Sequence, residues 1–293
     1  MTYSVVMRDP ATGAFGVAVQ SHWFNVGRIV PWVRAGVGAV ATQSLAEPLY
    51  GPRGLDLMAS GVAAPDALAR LLEADPERAV RQVAVIDASG RVAAHTGDRC
   101  IAHAAHIVGE GWSVQANIMR NAQVVPAMAA AAADREGTLG ERLVRTLEAA
   151  EATGGDLRGS QSAALIVSGD GPIAALDLRV EDSPDPISEL RRLVGVEAAY
   201  RHMSAGDEAL ARGDGTAAAA AYAAAATANP SNPEIGFWRA HGLATVGLLE
   251  EAAALMRVVV LANPDLVDLL RRLPAAGLIE PDVAVRLLDE LTT

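Results

Sequence analysis

The sequence predicts an α+β domain of mostly antiparallel strands over residues 1–184, followed by an all-α region over residues 185–293. Two observations predict the first part. β-Prone runs come in pairs across turn-forming segments, and two helix pairs separate those strand pairs, an order that suggests stacked sheets covered by helices. One observation predicts the second: after Asp185 the strand pattern stops and an Asn-Pro pair repeats. With 293 residues, 51% of them hydrophobic, the chain has length for about two domains and material for a sizeable core.

The first hairpin occupies Met1 to Gln20, where two apolar runs flank Asp9-Pro10-Ala11-Thr12-Gly13. Proline presets φ in such a turn and Gly13 tolerates a positive φ. Ser21 to Gly27 leaves the second strand, Pro31 and Gly36 punctuate a turn, and Gly36 to Gln43 reads as a buried strand of small residues. Helices follow over Tyr50–Ser60 and Pro65–Glu73, the latter with Asp66 in its first turn. Arg81–Asp87 and Arg91–Thr96 form a second hairpin, and Ala104–Val108 with Trp112–Asn117 a third pair. Two helices run over Asn121–Asp134 and Thr138–Ala152, the second with Leu139, Leu143, Leu147 and Ala150 on one face. A polar glycine-rich loop leads to the last hairpin, Gln161–Ser168 with Ile173–Val180.

In the helical region Asn229-Pro230 recurs as Asn263-Pro264. Aligned on these pairs, Ala218, Tyr222 and Ala225 correspond to Ala252, Met256 and Val259. The pattern is similar to two tetratricopeptide-like helical hairpins, about 199–232 and 233–266, with residues 266–291 as capping helices. Gly206 stands where such repeats place glycine, whereas His202 and Gly236 stand at the usual tryptophan site. A generic alanine-rich bundle is the alternative. The aromatic fraction of 4% fits helix interfaces packed from small residues.

Composition narrows the partners. The net charge is −11 with no basic cluster, so nucleic acid is not expected. No run of about 18 apolar residues suggests a membrane span, and no signal-peptide pattern opens the chain. Cys100 is the single cysteine, which fits a reducing, cytoplasmic setting.

The head of the first strand carries the most pointed chemistry. Removal of Met1 would leave Thr2 with a hydroxyl and a free α-amine on one residue. A hydroxyl needs a base to become a nucleophile, and an α-amine of pKa about 7.7–8.0 is a suitable one.

Thr2-Tyr3-Ser4-Val5-Val6, Gly16 to Ser21 and Pro31 to Gln43 carry a family resemblance. So do Tyr50 to Leu55, His95-Thr96-Gly97, Gln115-Ala116-Asn117, Gly154 to Ala164 and Asp177 to Val180. Together, over about residues 2 to 190, they resemble a bacterial family known as domain of unknown function 1028, grouped with the N-terminal-nucleophile (Ntn) hydrolases. The resemblance implies a four-layer αββα sandwich. It also implies amide chemistry in which the first residue of the first strand attacks a carbonyl and its own amine shuttles the proton. Thr2 matches that position. Such enzymes often carry an Asp or Arg on the second strand and a Lys or Arg near the nucleophile. Here that stretch offers Gln20 and Ser21, with Arg34 the nearest later base.

The candidate catalytic residues are therefore Thr2, Ser21 as a hydrogen-bond partner of the amine or substrate, and Asn117 as an oxyanion donor. Gln115 alternates with Asn117 on the same strand face and is a candidate for substrate binding. Asp156 and Arg158 share the glycine-rich loop, where Arg158 would hold a substrate carboxylate or merely order the loop with Asp156. Arg53, with Tyr50 and Gly51, opens a helix whose N-terminus suits an anion, with a plain capping role the alternative. Asp177 and Arg179 read as a structural pair. His95, His103, His106 and Cys100 match no zinc spacing, so neither metal nor organic cofactor is expected. Two functions compete. One is an Ntn-type hydrolase of an amide or related small acyl substrate. The other is a non-catalytic binding or scaffold protein that keeps the sandwich as a pocket. In either, the helical tail would meet a protein partner or a second copy.

Overall fold

A computed structural model of the chain describes residues 2–292. Met1, whose removal the nucleophile reading requires, lies outside the described residues. The chain divides into two compact units, Met1–Val194 and Gly195–Thr293.

Ten strands build the first unit: β1 (Thr2–Arg8), β2 (Phe15–Ser21), β3 (Pro31–Arg34), β4 (Gly38–Ser44), β5 (Arg81–Asp87), β6 (Val92–Thr96), β7 (Ala105–Gly109), β8 (Trp112–Asn117), β9 (Ser162–Ser168) and β10 (Ala174–Val180). Four helices lie between them: α1 (Tyr50–Ala59), α2 (Ala64–Glu73), α3 (Val124–Ala133) and α4 (Leu139–Ala152). A six-stranded sheet has the order β10-β9-β2-β1-β8-β7 and a four-stranded sheet the order β3-β4-β5-β6, all neighbours antiparallel. The α+β class is the expected one.

Three apolar clusters define the layers. Tyr3, Val5 and Met7 of β1 pack outward with Met128 of α3 and Leu143 and Leu147 of α4. Val6, Val17 and Val19 face the other way, against Ala39, Ala41, Ala84 and Ile86 of the facing sheet. Val40, Val83 and Val85 complete the far side with Leu55 and Leu68 of α1 and α2. Period-two alternation in strands buried on both faces thus produces the order helices, sheet, sheet, helices. The leucine stripe of α4 is its buried face.

One expected turn is a strand. Pro31–Arg34 pairs with β4 as the edge of the smaller sheet. Proline lacks the N–H a central strand needs, but the first residue of an edge strand does not miss it. The breaker signal of Pro31 therefore marks a sheet margin.

Helix α5 (Pro186–Ala211) contains the boundary between the units, and α6 (Gly215–Ala228), α7 (Pro233–Thr245), α8 (Leu249–Ala262), α9 (Leu266–Arg272) and α10 (Pro281–Thr292) follow. Ala218, Tyr222 and Ala225 of α6 are buried, and so are their counterparts Ala252, Met256 and Val259 of α8. Asn229 and Asn263 cap the C-termini of those two helices, so the repeated Asn-Pro marks the same corner twice. A Cβ at Gly206 or Gly242 would lie 2.8 or 2.5 Å from the Tyr222 side chain, so both glycines admit that ring. Among the described residues no helix is long and apolar enough to cross a membrane.

Candidate functional site

The site follows from strand register at one end of the sandwich. β1 is flanked by β2 and β8, and Thr2 stands opposite Ser21 on one side and Asn117 on the other. Ser21 in turn faces Ser162 of β9. In the facing sheet, Gln43 of β4 pairs with Gln82 of β5, and Gln82 with Thr96 of β6. Alternation points Thr2, Ser4 and Val6 toward the same inner layer. That layer is apolar around Val6 and polar toward Thr2.

The polar end is a ladder of buried side chains joining the two sheets. Gln82 Nε2 donates to the carbonyl oxygens of Ala105 (3.2 Å) and Ala116 (2.9 Å), which fixes its amide orientation. Its Oε1 then accepts from Gln43 Nε2 and from Asn117 Nδ2, both at 2.8 Å. These two amides also donate to the Thr2 carbonyl, at 3.2 and 3.4 Å. Gln115 Nε2 donates to Ser4 Oγ, and Ser4 donates to Gln43 Oε1, each at 2.6 Å. Gln82 Nε2 donates further to Thr96 Oγ1 (2.9 Å), and Thr96 Oγ1 shares a hydrogen bond with His106 Nδ1 at 2.8 Å whose direction follows the imidazole tautomer. His106 is held neutral, its pKa pushed below the usual range by burial and by nearby His95. Buried amides need such partners. Asn117 Oδ1 is an exception: it is buried and accepts no hydrogen bond from the described residues.

Thr2 opens from this ladder into a cavity of about 520 Å³ lined also by Ser21, Gln43, Ser44 and Arg81. The Thr2 hydroxyl lies 3.1 Å from Ser21 Oγ. Thr2 is 5% exposed, held on both sides by the sheet. Arg81 is fixed from behind. Its Nε donates to Asp75 (2.8 Å) and its Nη1 to the Leu45 carbonyl (2.6 Å), while the Tyr50 hydroxyl donates to the same Asp75 oxygen (2.9 Å). The Arg81 hydrogen bond, with those from the Glu77 N–H and Tyr50, holds Asp75 below the usual carboxylate range against the effect of burial. Backbone strain gathers at this end. Asn25 (φ 53°), Ser44 (φ 72°) and Ile118 (φ 57°) are left-handed non-glycines in segments at or just beyond the ends of β2, β4 and β8.

The sequence candidates separate in space. Thr2 and Ser21 line the cavity, whereas Gln115, Asn117, Asp156, Arg158 and Arg53 do not. Gln115 and Asn117 lie behind it in the ladder, fully buried. Asn117 Nδ2 is engaged by Thr2 and Gln82, so the amide grips the chain backbone at Thr2. Asp156 accepts the His22 N–H (3.3 Å) and pairs with Arg158 (3.2 Å), tying the loop after β2 to the glycine-rich loop. Arg53 lines a separate surface hollow with Tyr50 and Asp75. Arg34 pairs with Asp56 at 2.9 Å on the surface. Asp177 and Arg179 are a surface pair at 2.7 Å. His95 Nε2 meets the Arg78 carbonyl and Cys100 the Arg81 carbonyl. No group of three or more His, Cys, Asp or Glu positioned for a metal occurs among the described residues.

Sequence reading missed Arg81, Gln43 and Gln82. The glutamines had a signal: each is the polar member of an inward-facing, otherwise apolar strand series, Ala39-Ala41-Gln43 and Gln82-Ala84-Ile86. Arg81 had none, because it reads as the ordinary polar start of a strand.

A family model described as Family of unknown function (DUF1028) matches residues 2–190. Among solved structures, the crystal structure of protein SPO2555 from Silicibacter pomeroyi is similar to this chain at 29% identity and a TM-score of 0.62. That similarity covers 66% of this chain and 87% of that one. Comparison with curated proteins gives no match.

Proposed function

The chain belongs to the Family of unknown function (DUF1028), and from the geometry of its own site we propose that it is an Ntn-type hydrolase of an amide or related small acyl compound. The observation that carries the reading is the Thr2 hydroxyl, 3.1 Å from Ser21 Oγ on the wall of a cavity, on an interior strand of the six-stranded sheet.

With Met1 removed, the free α-amine of Thr2 takes the hydroxyl proton as the oxygen attacks the substrate carbonyl. The tetrahedral intermediate collapses, the C–N bond breaks and the amine leaves with that proton. Water then cleaves the ester on Thr2, with the α-amine again as base. Ser21 orients the hydroxyl. The amides of Asn117 and Gln43 hold Thr2 by its carbonyl, and Asn117 Oδ1 supplies a buried acceptor close to the chain start. We assign Asn117 this positioning role in place of oxyanion donation, since its N–H groups already have acceptors. Ser44 and Arg81 are the remaining polar groups at hand for the oxyanion or the substrate.

The test is direct. Intact-mass analysis is expected to give a protein lacking one methionine, and incubation with an activated acyl ester to add one acyl group on Thr2. Thr2→Ala is expected to abolish both labelling and turnover. A retained Met1, or labelling that survives Thr2→Ala, removes the mechanism.

The second reading, a non-catalytic binding protein, has one observation in its favour: Thr2 is almost enclosed. It predicts ligand binding that is indifferent to Thr2→Ala. Under both readings we propose a cytoplasmic protein, on its single Cys100. We further propose that the helical unit, as a tetratricopeptide-like pair of hairpins, serves protein contact or self-association.

A further inference from the structure

We infer that the cavity beside Thr2 recognises an amide flanked by an apolar acyl chain and a single carboxylate, an N-acyl amino acid, with Arg81 as the residue that selects the carboxylate. The inference rests on the hydrolase reading for the cleavage step alone; recognition stands without it.

Three observations lead here. First, Arg81 is the single Lys or Arg among the described residues lining this cavity. Its charge is already paired with Asp75, so what it offers a ligand is the outward N–H groups of a planar fork, whose geometry suits a single carboxylate. Second, Arg81 is preorganised with donors to spare. Asp75 and the Leu45 carbonyl take one N–H from Nε and one from Nη1. Nη2 donates to no described protein group and is not buried. The side chain is only 15% exposed and its partner Asp75 11%, so the pair is shielded from solvent without being closed off. Tyr50 and the Glu77 N–H hold Asp75 in turn, so the fork is set before any ligand arrives. Third, the wall away from Thr2, Ser21, Gln43 and Ser44 is apolar: Val26, Ile29, Val30 and Pro48 line the cavity with Trp23 and Leu45. Trp23 and Leu45, 58% and 64% exposed, both border this one cavity. The Ser162 hydroxyl donates to the Trp23 carbonyl and accepts from the Val26 N–H, pinning this rim to β9. An acyl chain laid against Trp23 and Leu45 would cover them.

In the reaction this implies, water and an N-acyl amino acid become a carboxylic acid and a free amino acid. The acyl group passes through the Thr2 ester and the amino acid leaves with the proton taken from the hydroxyl. The substrate carboxylate is unchanged throughout and serves only as the handle.

The experiment is calorimetric titration of the full-length chain, in a Thr2→Ala background that stops turnover, with N-octanoylglycine and its uncharged analogue N-octanoylglycinamide. The acid is expected to bind roughly tenfold or more tightly than the amide, the scale of one charge-assisted hydrogen-bonded pair. R81Q is expected to erase the difference and R81K to retain part of it, since lysine keeps the charge but loses the fork. Equal affinities, no binding of either probe, or a preference that survives R81Q overturns the inference. The acid–amide comparison leaves Arg81 untouched and so decides even where R81Q fails to fold. Release of octanoate from each probe by the unmodified chain is measured separately. Discriminating binding without release supports this inference while refuting the hydrolase reading, and release from acid and amide at equal rates refutes this inference while supporting that reading.

Discussion

Thr2 is held by its backbone. Two side-chain amides from different sheets, Gln43 and Asn117, converge on its carbonyl, leaving the hydroxyl to Ser21 and the cavity. Asn117→Ala deletes one of those donors and a partner of Gln82 Oε1, which keeps its bond from Gln43. Losing buried hydrogen bonds of this kind costs about 1–3 kcal/mol. Urea denaturation is expected to show that loss, and acyl labelling of Thr2 to slow in parallel, because the nucleophile is no longer pinned. Thr2 and Ser21 were legible as candidates since both stand at strand ends in one hairpin, a local relation. Arg81 was not, since nothing within its own segment reveals the cavity it lines or the Asp75 that fixes it.

At the scale of the element, local rules account for much. Helix α4 begins with a full capping box, Thr138 Oγ1 accepting the Glu141 N–H and Glu141 reaching back to the Thr138 N–H. Thr138→Ala is expected to cost about 1 kcal/mol, read as a lower denaturation midpoint with unaltered ligand binding. Helix α1 depends on close approach. A Cβ on Gly51 would lie 2.2 Å from the Trp32 ring of β3, so Gly51→Ala is expected to cost roughly 1–3 kcal/mol through overpacking, visible as a changed tryptophan fluorescence with the loss of stability. The same pairing explains why β3 escaped sequence reading: Pro31 and a mere four residues look like a turn until the neighbouring strand and helix are in place.

Across the whole molecule, the amide ladder couples the two sheets, and its last member, His106, makes that coupling sensitive to acid. The ring meets the Thr96 hydroxyl through Nδ1, and burial, with nearby His95, lowers its pKa from the ordinary 6.5. The unfolded chain therefore binds the proton first as pH falls, so the His106 contribution is constant above about 6.5, declines below it, and stops declining once the folded form is also protonated. Urea midpoints measured from about pH 8 to about pH 5 are expected to follow that course, and His106→Gln to flatten the contribution. Taken alone, the sequence determined the strand hairpins, the helix faces and the repeated Asn-Pro corners, and singled out Thr2 as a candidate, because turn chemistry and periodicity act within a few residues. Tertiary structure alone decided that β1 lies between β2 and β8, that Gln43 and Asn117, joined by Gln82, converge on the Thr2 carbonyl, and that Arg81 shares its cavity. Those relations join residues tens of positions apart through strand order and layer stacking, and alternation along one strand carries no information about which other strand will lie beside it.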